Sequence, residues 1–230
     1  MSGGSRNVSS PQIDIHENMD KIIERHLRSK FQKPYAQHTE ISFKRFVDYY
    51  ESKDFDGFIL DNGCGAGESS FNLAKMNPTS LVLGIDRSAV RLNKADNKFK
   101  NIPDNLIYLR ADLVDFWRML ASSKYRPLKQ FFFYPNPYPK AGQVKNRWHA
   151  HPVFLILLSL GGDWEIRSNW ELYLREMQYV IKKLTGQEMI YDKFTPSESI
   201  SLFEKKYLAS KHDLFRGIIS FCDESAYRSD

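Results

Sequence analysis

The sequence predicts an α/β domain with a doubly wound, mostly parallel sheet flanked by helices, a Rossmann-like arrangement. Three observations carry that expectation. Short apolar runs alternate with helical patterns at the spacing of strand–helix units. The first run ends in a glycine-rich turn, Asp61-Asn62-Gly63-Cys64-Gly65-Ala66-Gly67. Acids close the second and third units at Asp86 and Asp112.

The elements follow in order. His16 to Ser29 reads as a helix, with Met19, Ile22, Ile23 and Leu27 at helical spacing, and Thr39 to Ser52 as another, carried by Phe43, Phe46, Val47 and Tyr50. Gly57 to Asp61 is the first strand. A helix from Glu68 to Met76 is stopped by Asn77-Pro78, and Ser80 to Ile85 is the second strand. The basic stretch Ser88 to Phe99 reads as a helix, Leu106 to Leu109 as a strand and Leu113 to Leu120 as a helix. Gln130 to Tyr134, with three consecutive phenylalanines, is a fourth strand. Helix Pro152 to Ser159, strand Trp164 to Ser168, helix Trp170 to Leu184 and strand Glu188 to Tyr191 continue the pattern. Residues 1–52 read as a tail, Met1 to Ser10, with a helical extension. Residues 53–230 read as the catalytic domain.

Composition narrows the class. The 230 residues are 42% hydrophobic and 27% charged, with net charge +5, which suits a globule with a real core. The longest apolar stretch, Val153 to Leu160, falls far short of the roughly 20 residues a bilayer demands. The amino-terminal stretch lacks a signal peptide's apolar centre, so a cytoplasmic location is expected. Cys64 and Cys222 make no metal-ligand spacing, and no metal site is expected. From Phe116 to Gly162 no acid occurs, whereas Arg118, Lys124, Arg126, Lys129, Lys140, Lys145 and Arg147 do. Such clustering is either a solvated face or a footprint for phosphates. The aromatic, proline-rich segment inside it favours the second.

The glycine turn lies where a nucleotide-binding turn must, between a strand and a helix. Glycines let the backbone approach a ligand with no Cβ in the way. Asp86, about 20 residues on, is placed to accept both ribose hydroxyls. The third glycine comes one residue earlier than in nicotinamide-binding turns, and the acid Asp61 precedes the turn. Both features favour S-adenosylmethionine (SAM), with Asp61 available to its ammonium group. The expected cofactor contacts are Asp61, Gly63, Gly65, Gly67, Asp86, Ala111, Asp112 and Asn136. Asp112 reads equally as a helix cap. Cys64 reads as a buried small residue of the turn.

The fourth strand runs into Tyr134-Pro135-Asn136-Pro137-Tyr138-Pro139-Lys140. Prolines on both sides of Asn136 stiffen the backbone and aim its side chain. Tyr138 offers a face on which a base can stack, and Lys140 a phosphate contact. These segments resemble the TrmB-type tRNA (guanine-N7)-methyltransferases. Leu60 to Glu68, Leu73 to Pro78 and Leu83 to Asp86 resemble that family's first two strand–helix units. Tyr134 to Lys140 resembles its F-P-D-P-W-P-K loop. Leu160-Gly-Gly162 with Ser168 to Tyr173 is similar to its L-x-x-G-G and T-D-W-E-x-Y segment, and Ser201 with Phe203-Glu204 to its T-x-F-E element.

The resemblance implies SAM as cofactor, tRNA as partner and Asn136 as the catalytic position. It also implies substrate contacts at Tyr138, Lys140, Lys145, Arg147, Asn169, Ser201 and Glu204. A monomer or homodimer without membrane association is expected. Two departures bear on the chemistry: the family's aspartates in the loop and in the later segment are Asn136 and Asn169 here. The basic loop is also thinned, to Lys140-Ala-Gly-Gln-Val-Lys-Asn-Arg147. Two alternatives therefore stand beside N7 methylation. One is methylation of another nucleobase atom such as an exocyclic amine. The other is a SAM- and RNA-binding protein with little catalysis. Trp117, Trp148, Trp164 and Trp170 are expected in the core, and His149 and His151 near the RNA or on the plain surface.

Overall fold

The computed structural model describes residues 4–29, 31–99 and 101–221, with the side chains of residues 96 and 97 left aside. Cys222 and the last residues of the expected catalytic domain lie outside the described residues. Seven strands form one sheet: β1 (Phe58–Asn62), β2 (Leu81–Asp86), β3 (Leu106–Arg110), β4 (Lys129–Phe133), β5 (Asp163–Ser168), β6 (Ile190–Lys193) and β7 (Phe215–Ser220). Their order is β3-β2-β1-β4-β5-β7-β6. The first five run parallel, and β7 pairs antiparallel with both β5 and β6. The helices are α1 (Met19–Leu27), α2 (Gln37–Glu51), α3 (Glu68–Met76), α4 (Ala89–Lys98), α5 (Leu113–Ala121), α6 (Phe154–Ser159), α7 (Glu171–Thr185) and α8 (Leu202–Ala209).

Burial explains why the central runs become strands. Every residue of β1 and β2 is buried, as in strands covered on both faces. The phenylalanines of β4 alternate across the sheet with the period of two that a strand imposes. Phe132 packs on one face with Phe46, Trp117 and Trp164. Phe131 and Phe133 face the other side, with Ile59, Leu73 and Tyr108. Met19 and Ile23 of α1 and Phe46 of α2 are buried in the first of these cores, so both helices contribute to it. Trp117 and Trp164 are fully buried, and Trp148 and Trp170 pack at the margin of the same core.

Residues 4–16, part of which reads in sequence as a tail, run across the domain. Ser5 N donates to Ser210 Oγ (2.9 Å), and Ser10 Oγ donates to Pro139 O (2.6 Å). Gln12 Nε2 donates to Glu176 Oε1 at 2.7 Å.

The chain winds outward from β1 through β2 to β3, then returns to lay β4 on the other side of β1. That reversal leaves a crevice at the carboxyl ends of β1 and β4, the place where ligands bind in open α/β sheets. Among the described residues no helix is long and apolar enough to cross a membrane.

Candidate active site

The crevice holds a cavity of about 600 Å³. One end is built from Asn62, Gly63, Asp86, Ala111, Asp112 and Leu113. The turn above β1 has positive φ at Gly63 (85°), Gly65 (60°) and Gly67 (77°), the left-handed region that side chains disfavour. A Cβ on Gly67 would lie 2.6 Å from the Tyr108 ring and from Ala95, so that glycine allows α3 and α4 to close up. Space is open where a Cβ of Gly63 or Gly65 would point. The turn is held by Gly63 N and Cys64 N, which both donate to Ile85 O, and by Gly65 N donating to Asp86 Oδ2 at 3.0 Å.

The carboxylates at this end sit at different depths. Asp86 lines the cavity, accepts from Ser88 N at 2.8 Å and lies 3.3 Å from the Arg91 guanidinium. Asp112 also lines it and caps α5 by accepting from Val114 N, so the cap leaves the residue on the cavity wall. Asp61 lies beneath the turn, 1% exposed and outside the cavity wall. Ser69 and Ser70 each donate a hydroxyl to its Oδ2 at 2.6 Å. Burial outweighs these two donors and pushes its carboxyl up to about 6. Cys64 is buried, and burial with two nearby carboxylates raises its thiol well above the usual range, which makes it inert.

The other end is made by Phe133, Tyr134, Pro135, Asn136, Pro137 and Tyr138 with Asn146, Trp148, His151, Phe203 and Tyr207. Tyr134 (φ 54°) and Tyr138 (φ 46°) bracket the loop in strained left-handed conformations. Asn136 is exposed at the bend, its Oδ1 accepting from Tyr138 N at 3.4 Å. His151 is neutral, its imidazole lowered to about 4 by burial, with Nδ1 accepting from Val153 N.

Several expected substrate contacts are placed differently. Arg147 has no exposed surface: it pairs with Glu176 and donates through Nε and one terminal nitrogen to Tyr138 O, so it offers no charge to a phosphate. Burying such a group is tolerable because the carboxylate and carbonyls replace its hydration. Glu204 is equally buried, with its oxygens taken by Arg167, Tyr134 Oη and Ile200 N. Ser201 caps α8 by accepting from Glu204 N at 3.2 Å. Neither side chain presents a free group to a base. Asn169 is turned to His212 Nδ1 at 3.0 Å and does not line the cavity. Lys140 and Lys145 are exposed beside the loop but outside the cavity wall.

His149 is buried against Glu176, which corrects the expectation of a surface residue. The basic stretch also disperses in space. Lys124 pairs with Glu51, Arg118 with Asp115, Arg126 folds onto carbonyls ending α5, and Lys129 starts β4 at the far end of the sheet.

The sequence reading did not select Arg87, Arg91, Trp148, His151 and Tyr207 as cavity residues. For Tyr207 a signal existed, because it lies four residues after Phe203 and hence on the same helix face. Arg87 and Arg91 lie beside Asp86 in sequence, and Arg91 pairs with it; Trp148 and His151 depend on long-range packing. A larger open groove of about 770 Å³, lined by Ile190, Arg216 and Ile218 among others, follows the outer strands β6 and β7. It contains neither the glycine turn nor the target loop. Among the described residues no group of three or more acids, histidines or cysteines is placed to hold a metal.

Strand order, glycine turn and crevice together define a class I methyltransferase fold. The chain belongs to the Methyltransf_4 family, whose model, described as "Putative methyltransferase", matches residues 56–216. It is similar to the tRNA (guanine-N(7)-)-methyltransferase of Francisella philomiragia, 26% identical over 186 residues, which cover 77% of this chain and 78% of that one. It is also similar to the protein of the same name from Mycoplasma genitalium, 27% identical over 68% of this chain and 72% of that one. Against the Salmonella typhimurium protein of that name it is 27% identical, spanning 65% of that protein's length. Among solved structures, an antibiotic-related methyltransferase superposes with a TM-score of 0.55 at 13% identity, over 84% of this chain and 97% of the other. The 16S rRNA methyltransferase KamB superposes with a TM-score of 0.51 at 15% identity, over 82% and 95%. These structures share the fold.

Proposed function

We propose that this chain transfers the methyl group of SAM to N7 of a guanine in tRNA. The observation that carries the proposal is one cavity joining Gly63 of the glycine turn, Asp86 and Asp112 to the Pro-Asn-Pro loop. The relatives named above support the choice of tRNA guanine. The residues fit the cofactor: space is open beside Gly63 and Gly65, and two acids face the same cavity. SAM, when bound, supplies a methyl group made electrophilic by its sulfonium. Asp86 accepts from the ribose hydroxyls, Asp112 faces the adenine amino group, and Asp61 provides negative charge beneath the turn for the ammonium.

Guanine N7 carries a lone pair and no proton, so the protein need not supply a base. Its task is proximity and orientation, which lower the barrier to in-line displacement. Asn136 fits that task. Its amide accepts from a base amino group and fixes the ring's angle, while the flanking prolines hold the amide. Lys140 and Lys145 supply phosphate contacts at the rim.

The test is single-turnover methylation of tRNA by wild type, Asn136→Ala and Asn136→Asp, with products resolved by nucleoside mass spectrometry. Label in 7-methylguanosine is expected from the wild type. Asn136→Ala should lower the rate more than the SAM affinity. Asn136→Asp should keep or raise the rate, because negative charge returns beside the cation that forms. Label in a different nucleoside, or equal rates for wild type and Asn136→Ala, would overturn the proposal.

A further inference from the structure

The inner side of α8 faces the cavity with aromatic rings instead of the acid its sequence suggests. Phe203 is 49% exposed, and Tyr207, one turn on, is half-buried; both line the cavity with Pro135, Asn136 and Pro137. Their rings stack at 6.2 Å between centroids, with 28° between planes. Tyr207 is backed by His212, stacked at 5.1 Å and 21°, and by the Tyr134 ring at 5.2 Å. Its neighbour Glu204 is turned inward and fully engaged. Recognition of a base edge by that carboxylate is therefore closed, while the exposed Phe203 ring lines the cavity with Tyr207 held behind it by His212 and Tyr134.

A base drawn out of an RNA stack loses its neighbours, and an aromatic surface offsets part of that cost without reading sequence. We propose that Phe203 and Tyr207 form a stacking platform for an unpaired purine of the RNA substrate, holding it beside Asn136. This rests on the RNA-methyltransferase reading above. The platform explains how a site lacking a free acid on α8 still orients its target. The ring plane fixes the base's tilt and Asn136 fixes its rotation.

Two variants test it. Phe203→Leu keeps apolar volume at an exposed position and removes the ring face. It should raise the RNA concentration for half-maximal single-turnover methylation about tenfold, with SAM affinity unchanged by calorimetry. Phe203→Trp retains a ring face at the same position and adds an indole. Its added indole emission, measured against wild type, should be quenched by an oligoribonucleotide carrying an unpaired guanosine and not by a blunt, fully paired duplex. Identical half-saturation in Phe203→Leu and wild type, or equal quenching by both RNAs, overturns the platform. Selective quenching without methyl transfer by the wild type retains the platform and overturns the reaction proposed above. The two failures are thus separable.

Discussion

The two ends of the cavity are built from different material. At the cofactor end the wall carries polar and charged groups, Asn62, Asp86, Arg87, Arg91 and Asp112 among them. A turn with three positive-φ glycines is pinned by Asp86, and the carboxylates of Asp86 and Asp112 reach the cavity themselves. At the target end the wall is side chains, mostly rings and prolines. There the charges act one layer back: Arg147 with Glu176 carries Tyr138 O, and Arg167 with Glu204 carries Tyr134. The same residue types thus do opposite work. Asp86, Asp112 and Asn136 line the cavity, whereas the buried ion pairs behind it hold the loop.

The sharpest break of that comparison is Arg147→Met beside Lys145→Met. Removing one partner of a buried pair leaves Glu176 uncompensated, so Arg147→Met should cost about 3–5 kcal/mol by denaturant unfolding. Lys145→Met should leave the midpoint unchanged and lower the slope of log affinity against log salt for RNA by about 0.7–0.9. If the two variants swap these effects, Arg147 is the phosphate ligand and the layering is wrong.

Asp61 probes the cofactor end through pH. Its carboxyl, raised to about 6 by burial, stays protonated in the folded chain where the unfolded chain has already ionised near its ordinary 3.8. Between about pH 4 and 6 the folded state therefore holds the extra proton, and this group's contribution to stability falls as pH rises. The drop should be on the order of 2–3 kcal/mol across that window, read as the stability of wild type minus that of Asp61→Asn. Saturating SAM should flatten the difference by placing an ammonium near the carboxylate. A difference curve flat without the cofactor would show that Asp61 does not titrate as placed.

A smaller effect is expected from Asp86→Ala. Loss of a charge-assisted acceptor should weaken SAM binding by about 1.5–3 kcal/mol by calorimetry. Unchanged affinity would remove Asp86 from the site.

The cofactor end was legible because its signals are local. Asp61 to Gly67 and Asp86 each sit at a strand's end, and an apolar run with its glycines places them without further information. Asp112 is fixed the same way, by the helix it caps. The target end was legible as a loop and not as a set of contacts. Arg147 meets Glu176 29 residues later, and Arg167 meets Glu204 37 residues later. No spacing reveals which basic residue turns inward. The same holds for the basic stretch, which is continuous in sequence and scattered in space because β4 carries Lys129 away from the loop. Strand β7 is not legible in the sequence, since Phe215–Ser220 gains its partners on both sides only from distant strands.

The strand order also has a temporal meaning. β6 precedes β7 in the chain yet sits outside it, and its ladder is made with β7. Until residues 215–220 have left the ribosome, β6 has no edge to join. Helix α8, which brings Phe203, Tyr207 and Glu204 to the target loop, lies between those two strands in sequence. The glycine turn, with its two neighbouring parallel strands, needs little more than the first half of the chain. The target end is therefore complete only once β7 has paired with β5 and β6 has joined its outer edge.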